Sequence, residues 1–242
     1  EIRNCDWSSD VCSSDLAHRT LVWAEAAPGG NLQARAAAAR RRLLLDLVGE
    51  LGFDALALAH HADDQAETVI GRLARGSGVV GLSAMTPVWV ADGVAIVRPL
   101  LEVPKSRLVA TLRTAGWDWA EDPSNADPRY LRARIRAARP VLDDLGLTRE
   151  RLVATARSMA RAAAAIEGAV GVLDAVAVAR HDAGWATIAG EAFSRAPDEI
   201  RLRLLAALLG EATGSDYGPR LDGLEELDRA IRAGFAGATR TV

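Results

Sequence analysis

Cysteine is the first thing missing. The 242 residues hold two, Cys5 and Cys12. Both fall in residues 5–16, CDWSSDVCSSDL, which back-translate in frame to a common sequencing-adapter read. Residues 1–16 are therefore set apart as an artefactual N-terminal segment. The remainder offers no disulfide, zinc-thiolate or thiol chemistry. No apolar run approaches the ~20 residues of a membrane span, and no basic region followed by an apolar one opens the chain. That points to the cytoplasm and away from any membrane partner. A positive excess is missing as well. The formal net charge is -3, which argues against diffuse nucleic-acid binding but leaves room for a local basic patch. With only four histidines, no second ligand motif accompanies His60-His61, and no metal site is expected. Repeats and low-complexity linkers are absent, alanine richness aside.

What is there is an ordinary soluble composition, half hydrophobic and a quarter charged, long enough for one or two domains. Leu21-Val22-Trp23 reads as a short strand. Pro28-Gly29-Gly30 turns the chain, and Asn31 caps a helix from Leu32 to Leu51 with a basic face of Arg35, Arg40, Arg41 and Arg42. Asp54–Ala59 reads as a buried strand. Asp64-Gln65-Ala66-Glu67 has the spacing of a capping box, so a helix is expected from there, with Ala66, Val69, Ile70, Leu73 and Ala74 as its apolar stripe. It stops at Gly76, where Gly76-Ser77-Gly78 starts a loop. Val94–Val97 is a further strand, Pro104 opens a helix to about Ala115, and Gly116 ends it. The β-α-β-α order predicts a parallel sheet with right-handed crossovers. From Leu147 onward the pattern is helical: Leu152, Met159, Ile166 and Leu173 lie seven apart, with Gly168 and Gly171 as possible breaks. Two more helices are expected at about 198–213 and 219–233.

A strand thus delivers His60, His61, Asp63 and Asp64 to its carboxyl end, where ligands bind in open α/β sheets. The residues alone leave a solvated helix cap and a functional site both open.

HHADDQAET followed by RLARGSGVVGLSAM resembles the signature block of tRNA(Ile)-lysidine synthetases, members of the N-type ATP pyrophosphatase superfamily. The similarity continues through Arg98-Pro99-Leu100-Leu101, Trp119 to Asn125 (WAEDPSN), and Tyr130 to Arg136 (YLRARIR), where the family usually has Asn at the position of Ala133. The resemblance implies an α/β fold: a partial parallel-sheet nucleotide-binding domain (adenine nucleotide alpha hydrolase-like) over 17–142, then an α-helical substrate or tRNA-binding domain over 147–242. It implies ATP with its Mg2+, free L-lysine, and tRNA(Ile) with a CAU anticodon. The activity implied is adenylation of C2-O of the wobble cytidine, then attack by lysine to give lysidine. His61, Asp63, Asp64 and Glu67 are assigned to the catalytic pocket. Arg72 and Arg75 would face anionic groups, Gly76 and Gly78 would let backbone approach closely, and Glu121, Asp122 and Asn125 would bind lysine or shape its pocket.

The superfamily's Ser-Gly-Gly-x-Asp-Ser pyrophosphate loop is nowhere in the sequence. The expectation is an internal fragment, truncated at both ends and inactive alone. A tRNA thiolase of the same superfamily is one alternative, although it normally uses catalytic cysteines. A non-catalytic RNA-binding module is the other. Finally, Arg129, Arg132, Arg136 and Arg139 share one face if 129–139 is a single helix, Arg134 adds a fifth charge, and the stretch contains no acid. This stripe is expected to meet the tRNA backbone.

Overall fold

A computed structural model describes residues 19–23, 32–119, 127–214 and 221–234. The expected artefactual segment 1–16 and the substrate-binding candidates Glu121, Asp122 and Asn125 lie outside them. The chain divides into two compact units between Ala160 and Arg161. The division falls inside a helix, beyond the 142–147 boundary expected from sequence.

In the first unit, α1 (Leu32–Glu50) leads through a left-handed Gly52 to β1 (Ala55–Ala57). α2 (Ala62–Leu73) and the short α3 (Val79–Leu82) cross over to a hairpin of β2 (Val88–Ala91) and β3 (Val94–Val97). The sheet order is β1-β3-β2. β1 runs parallel to β3 with Leu56 opposite Ile96, and β2 runs antiparallel with Trp89 opposite Ile96. The parallel pair is the expected βαβ crossover. The antiparallel edge was not expected, although Asp92-Gly93 between alternating apolar residues is a strong hairpin signal. Both turn residues have positive φ, 50° and 78°, as a mirror-image two-residue turn requires.

Two strand expectations are corrected. Among the described residues β1 is an edge strand in which only Leu56 is half-buried, in place of the buried strand expected. Leu21–Trp23 forms no strand, and Val22 is 74% exposed. No described strand lies beside it to accept its hydrogen bonds, and a lone strand is not stable.

α4 (Lys105–Ala115) follows Pro104 and closes on a left-handed Gly116, as the sequence predicts. α5 (Leu131–Ala137), α6 (Arg139–Asp144) and the start of α7 (Arg149–Ala177) complete the unit. Its core joins Ala66 and Val69 of α2 to Ala84, Leu152 and Ala156. α7 is unbroken, so Gly168 and Gly171 are not breaks.

The second unit is not purely helical. After α7, β4 (Val178–His181) and β5 (Trp185–Ile188) form a hairpin, with His181 and Trp185 stacked at 3.6 Å. α8 (Gly190–Arg195), α9 (Asp198–Thr213) and α10 (Leu221–Gly234) follow. α9 begins and ends where the sequence places it. Val170, Leu173, Phe193, Leu204, Leu205, Leu224 and Ile231 form the core, with Phe193 fully buried. Within it Arg201 forks onto Asp228, Nε to Oδ1 at 2.7 Å and Nη2 to Oδ2 at 3.1 Å.

Candidate active site

α2 starts three residues earlier than its sequence suggests. The N-cap is His61, in extended backbone, and the capping box is His61-Ala62-Asp63-Asp64. The His61 N–H donates to Asp64 Oδ2 at 3.0 Å, and the Asp64 N–H donates to His61 Nδ1 at 3.4 Å. An imidazole nitrogen does here what a hydroxyl does in the commoner box, which is why the Asp-x-x-Glu spacing misleads. Caps of this kind contribute about 1 kcal/mol. Asp63 reaches away: its Oδ2 accepts the Lys105 N–H at 2.8 Å. It thereby caps α4, whose own N-cap, Pro104, has no side-chain acceptor. Arg149 Nη1 donates to Asp63 Oδ1 at 3.4 Å.

Glu67 was freed from capping for another partner. Arg136 forks onto it, Nε to Oε1 at 2.5 Å and Nη2 to Oε2 at 3.1 Å, and stands 3.6 Å from Asp64 Oδ1. Asp64 and Glu67 are buried, so without this guanidinium two carboxylates would sit desolvated one turn apart. The bond to Glu67 in turn raises the Arg136 pKa above its ordinary value. Arg136 therefore leaves the proposed phosphate-facing stripe and joins the carboxylate site.

His60 stands on the other side of the strand end. Arg98 Nε donates to its Nδ1 at 3.2 Å, which leaves the proton of the neutral ring on Nε2. Burial, then the Arg98 charge, lowers the His60 pKa. Arg98 also lies over the Trp89 ring at 4.1 Å and donates to Thr86 O. Sequence reasoning missed both Arg98 and Trp89.

The segment after α2 is pinned by side chains. Arg72 Nη1 donates to the carbonyls of Gly81 and Ala84, at 2.7 and 3.0 Å. Beside its expected place facing anionic ligand groups, Arg72 staples this backbone. Gln65, also missed, exchanges two hydrogen bonds with the Met85 backbone, at 2.8 and 2.9 Å. Gly76 takes φ +70°, and the Gly76 and Ser77 N–H groups close the helix on Leu73 and Arg72 carbonyls. A Cβ at Gly76 or Gly78 would meet nothing within 4 Å. The close approach is at Gly81 instead, where a Cβ would fall 2.4 Å from that of Ser77.

The arginine stripe is divided. α5 ends at Ala137 and α6 begins at Arg139, with Ala138 as a turn residue between them, so residues 129–139 are not one helix. Arg129 precedes α5 and pairs with Asp127 at 2.6 Å; Arg139 pairs with Asp143 at 3.0 Å. Three of the five charges thus find acids outside the acid-free run. Arg132 and Arg134 are exposed and make no ion pair among the described residues. Arg132 instead joins Arg75 on a cavity of about 290 Å³ between α2 and α5, bordered by Glu67, Thr68, Gly71, Tyr130, Leu131 and Ile135. No group of three His, Cys, Asp or Glu among the described residues is arranged to hold a metal.

The signature stretch therefore lies where a strand end meets a helix N-terminus in a βαβ crossover. The profile of the PP-loop domain family matches residues 4–142. This chain belongs to the PP-loop family. Among curated proteins it is 43% identical over 214 residues to the tRNA(Ile)-lysidine synthase of Methylobacterium nodulans, covering 88% of this chain and 63% of that one. It is 42% identical over 217 residues to the enzyme of the same name from Ruegeria pomeroyi, covering 90% and 52%. The chain thus spans between half and two thirds of the length of these relatives. A solved U34-tRNA thiolase from Methanococcus maripaludis matches at 19% identity and a TM-score of 0.43, over 55% of this chain and 44% of its own; a likeness that low carries no argument. No described helix of this PP-loop protein is long and apolar enough to cross a membrane.

Proposed function

We propose that this protein acts as a tRNA(Ile)-lysidine synthase in the cytoplasm. The observation that carries the reading is the 43% identity to a lysidine synthase over 214 residues, which takes in both units. In this reaction O2 of the wobble cytidine attacks the α-phosphorus of ATP and pyrophosphate leaves. The neutral ε-amine of free lysine then attacks C2, AMP leaves, and the amine gives up a proton. The tRNA is the isoleucine tRNA with a CAU anticodon. Magnesium would enter as the counter-ion of ATP; Asp63, Asp64 and Glu67 are each turned onto a protein partner.

Each described residue then has a task that its contacts support. Asp64 and Glu67 set two carboxylates against the one guanidinium of Arg136, a net negative potential that would draw a lysine ammonium to the strand end. His61 and Asp63 fix the start of α2 and of α4, so the two helices frame that end as one piece. His60, neutral with its proton on Nε2, offers a hydrogen-bond donor rather than a second cation beside the substrate amine. An amine must shed its proton before it attacks, so a site that draws the ammonium with two carboxylates and adds no further cation at His60 suits the second step.

Grafting this chain into the Methylobacterium nodulans relative, in place of the segment it matches, tests the reading. With ATP, labelled lysine and a CAU-anticodon transcript, label should enter the tRNA only when ATP is present. No label in the tRNA, or sulfur transfer instead, would reject it.

A further inference from the structure

The cavity between α2 and α5 is not accounted for by the carboxylate cluster. Glu67 and Gly71 lie four apart on one line of α2, and Arg75, four residues further on, stands in the turn that ends the helix. Gly71 opens that line. A glycine inside a helix weakens it, yet here a Cβ would stand only 3.5 Å from Leu131 Cδ2 and 3.8 Å from Ile135 Cδ1. Any longer side chain would close the cavity. The glycine thus keeps this side of α2 free of a side chain where it faces Leu131 and Ile135.

The walls define the chemistry of that ligand. Leu131 and Ile135 form an apolar floor, and Tyr130 offers a ring at the mouth. Glu67 is the acid on the wall, and its charge is cancelled by the Arg136 fork. Arg75 and Arg132 remain, with no ion pair to any described residue. Two guanidiniums on one cavity repel unless an anion lies between them, and their planar forks match phosphate oxygens. The volume, about 290 Å³, is at the small end for ligand sites. It suits one nucleotide unit and not a helical RNA segment.

We infer that the slot between α2 and α5 binds one phosphorylated nucleoside, with Arg75 and Arg132 on the phosphate and Tyr130 against the base. The inference rests on the lysidine reading for its choice of a nucleotide of the reaction, and it deepens that reading by giving the nucleotide a place. Two sources share this chemistry, the adenosine nucleotide and a flipped nucleotide of the tRNA.

The test uses the 242-residue chain and ligand-observed NMR with CMP and cytidine as probes. CMP should bind about tenfold or more tighter than cytidine, as charge-assisted bonds to a phosphate predict. Replacing Arg75→Gln and Arg132→Gln together should erase the difference, and both are exposed, so the melting curve should stay in place. Gly71→Leu should exclude both probes. Displacement of CMP by magnesium-ATP would assign the slot to the cofactor nucleotide. Displacement by an anticodon stem-loop RNA but not by ATP would assign it to the tRNA. Equal affinity for CMP and cytidine, an unchanged preference in the double variant, or displacement by neither competitor would overturn the slot. A chain that binds CMP this way but transfers no lysine after grafting would keep the slot and lose the lysidine reading.

Discussion

Each unit is built around an arginine that forks onto a carboxylate far away in sequence, and the two forks differ in what surrounds them. Arg201 is 3% exposed and spends its donors on both oxygens of Asp228, on Asp198 Oδ1 and on the Ala196 carbonyl. Each of its three nitrogens has an acceptor, beside a core of Phe193, Leu204 and Leu224. Arg136 is 37% exposed, serves two acids, and its partner Glu67 forms the wall of a cavity. The first pair closes a core. The second leaves a buried charge beside open space. The same chemical group is enclosed by a core in one unit and left beside a cavity in the other.

The comparison breaks most sharply at Arg201. Arg201→Ala leaves buried Asp228 only its bond from the half-exposed Arg232, Nε to Oδ2 at 3.0 Å, which should cost about 3 kcal/mol, the low end for a broken buried pair, read as a weakened unfolding transition of unit two in urea. If the second unit tolerates this change, its pair is no more structural than the first. Replacing both partners by apolar residues of similar volume should be far milder, and a cost as large as the single change would contradict the desolvation account.

Arg136→Gln should cost less, about 1–2 kcal/mol, because the guanidinium is partly solvated. In the grafted enzyme it should raise KM for lysine while leaving the salt dependence of tRNA binding unchanged. Arg132→Gln should do the reverse and lower the log-log salt slope by about one unit. A flattened slope for Arg136→Gln would return that residue to the phosphate-facing stripe.

Magnesium-ATP should give no micromolar binding to the 242-residue chain by calorimetry. The Ser-Gly-Gly-x-Asp-Ser motif whose N–H groups would cradle the phosphates is not in its sequence. Saturation in that range would mean that the described residues of the first unit suffice for the triphosphate.

The smallest effect concerns His60. Its pKa in the folded chain is depressed, by burial first and then by Arg98. Its contribution to stability is present above the unfolded value of about 6.5 and is lost as pH falls through the lower folded value. His60→Gln should flatten the pH dependence of the melting temperature below about pH 6.5. An unaltered acid limb would show that His60 titrates normally.

Local chemistry is what the residues themselves announced. The helices at 32–50, 105–115 and 198–213 follow from period, proline and glycine, because those signals act within a few residues of one another. The clustering of His61, Asp63, Asp64 and Glu67 at a strand end was legible for the same reason, and so was the family. Asp92-Gly93 could have revealed the hairpin. What the sequence could not say is which distant group answers each charge. Gln65 on Met85, Arg98 on His60 and Arg136 on Glu67 join residues 20, 38 and 69 positions apart. No local pattern encodes such partners, because a buried charge is satisfied by whichever side chain the fold brings within reach. The acid-free run from 129 to 139 looked uncompensated only while its neighbours in space were unknown. Residue types and spacing placed the chemistry at the end of β1. Tertiary packing alone decided that one arginine of the run turns inward to hold the carboxylates while another stays open on the cavity, since only packing sets which guanidinium is desolvated beside an acid.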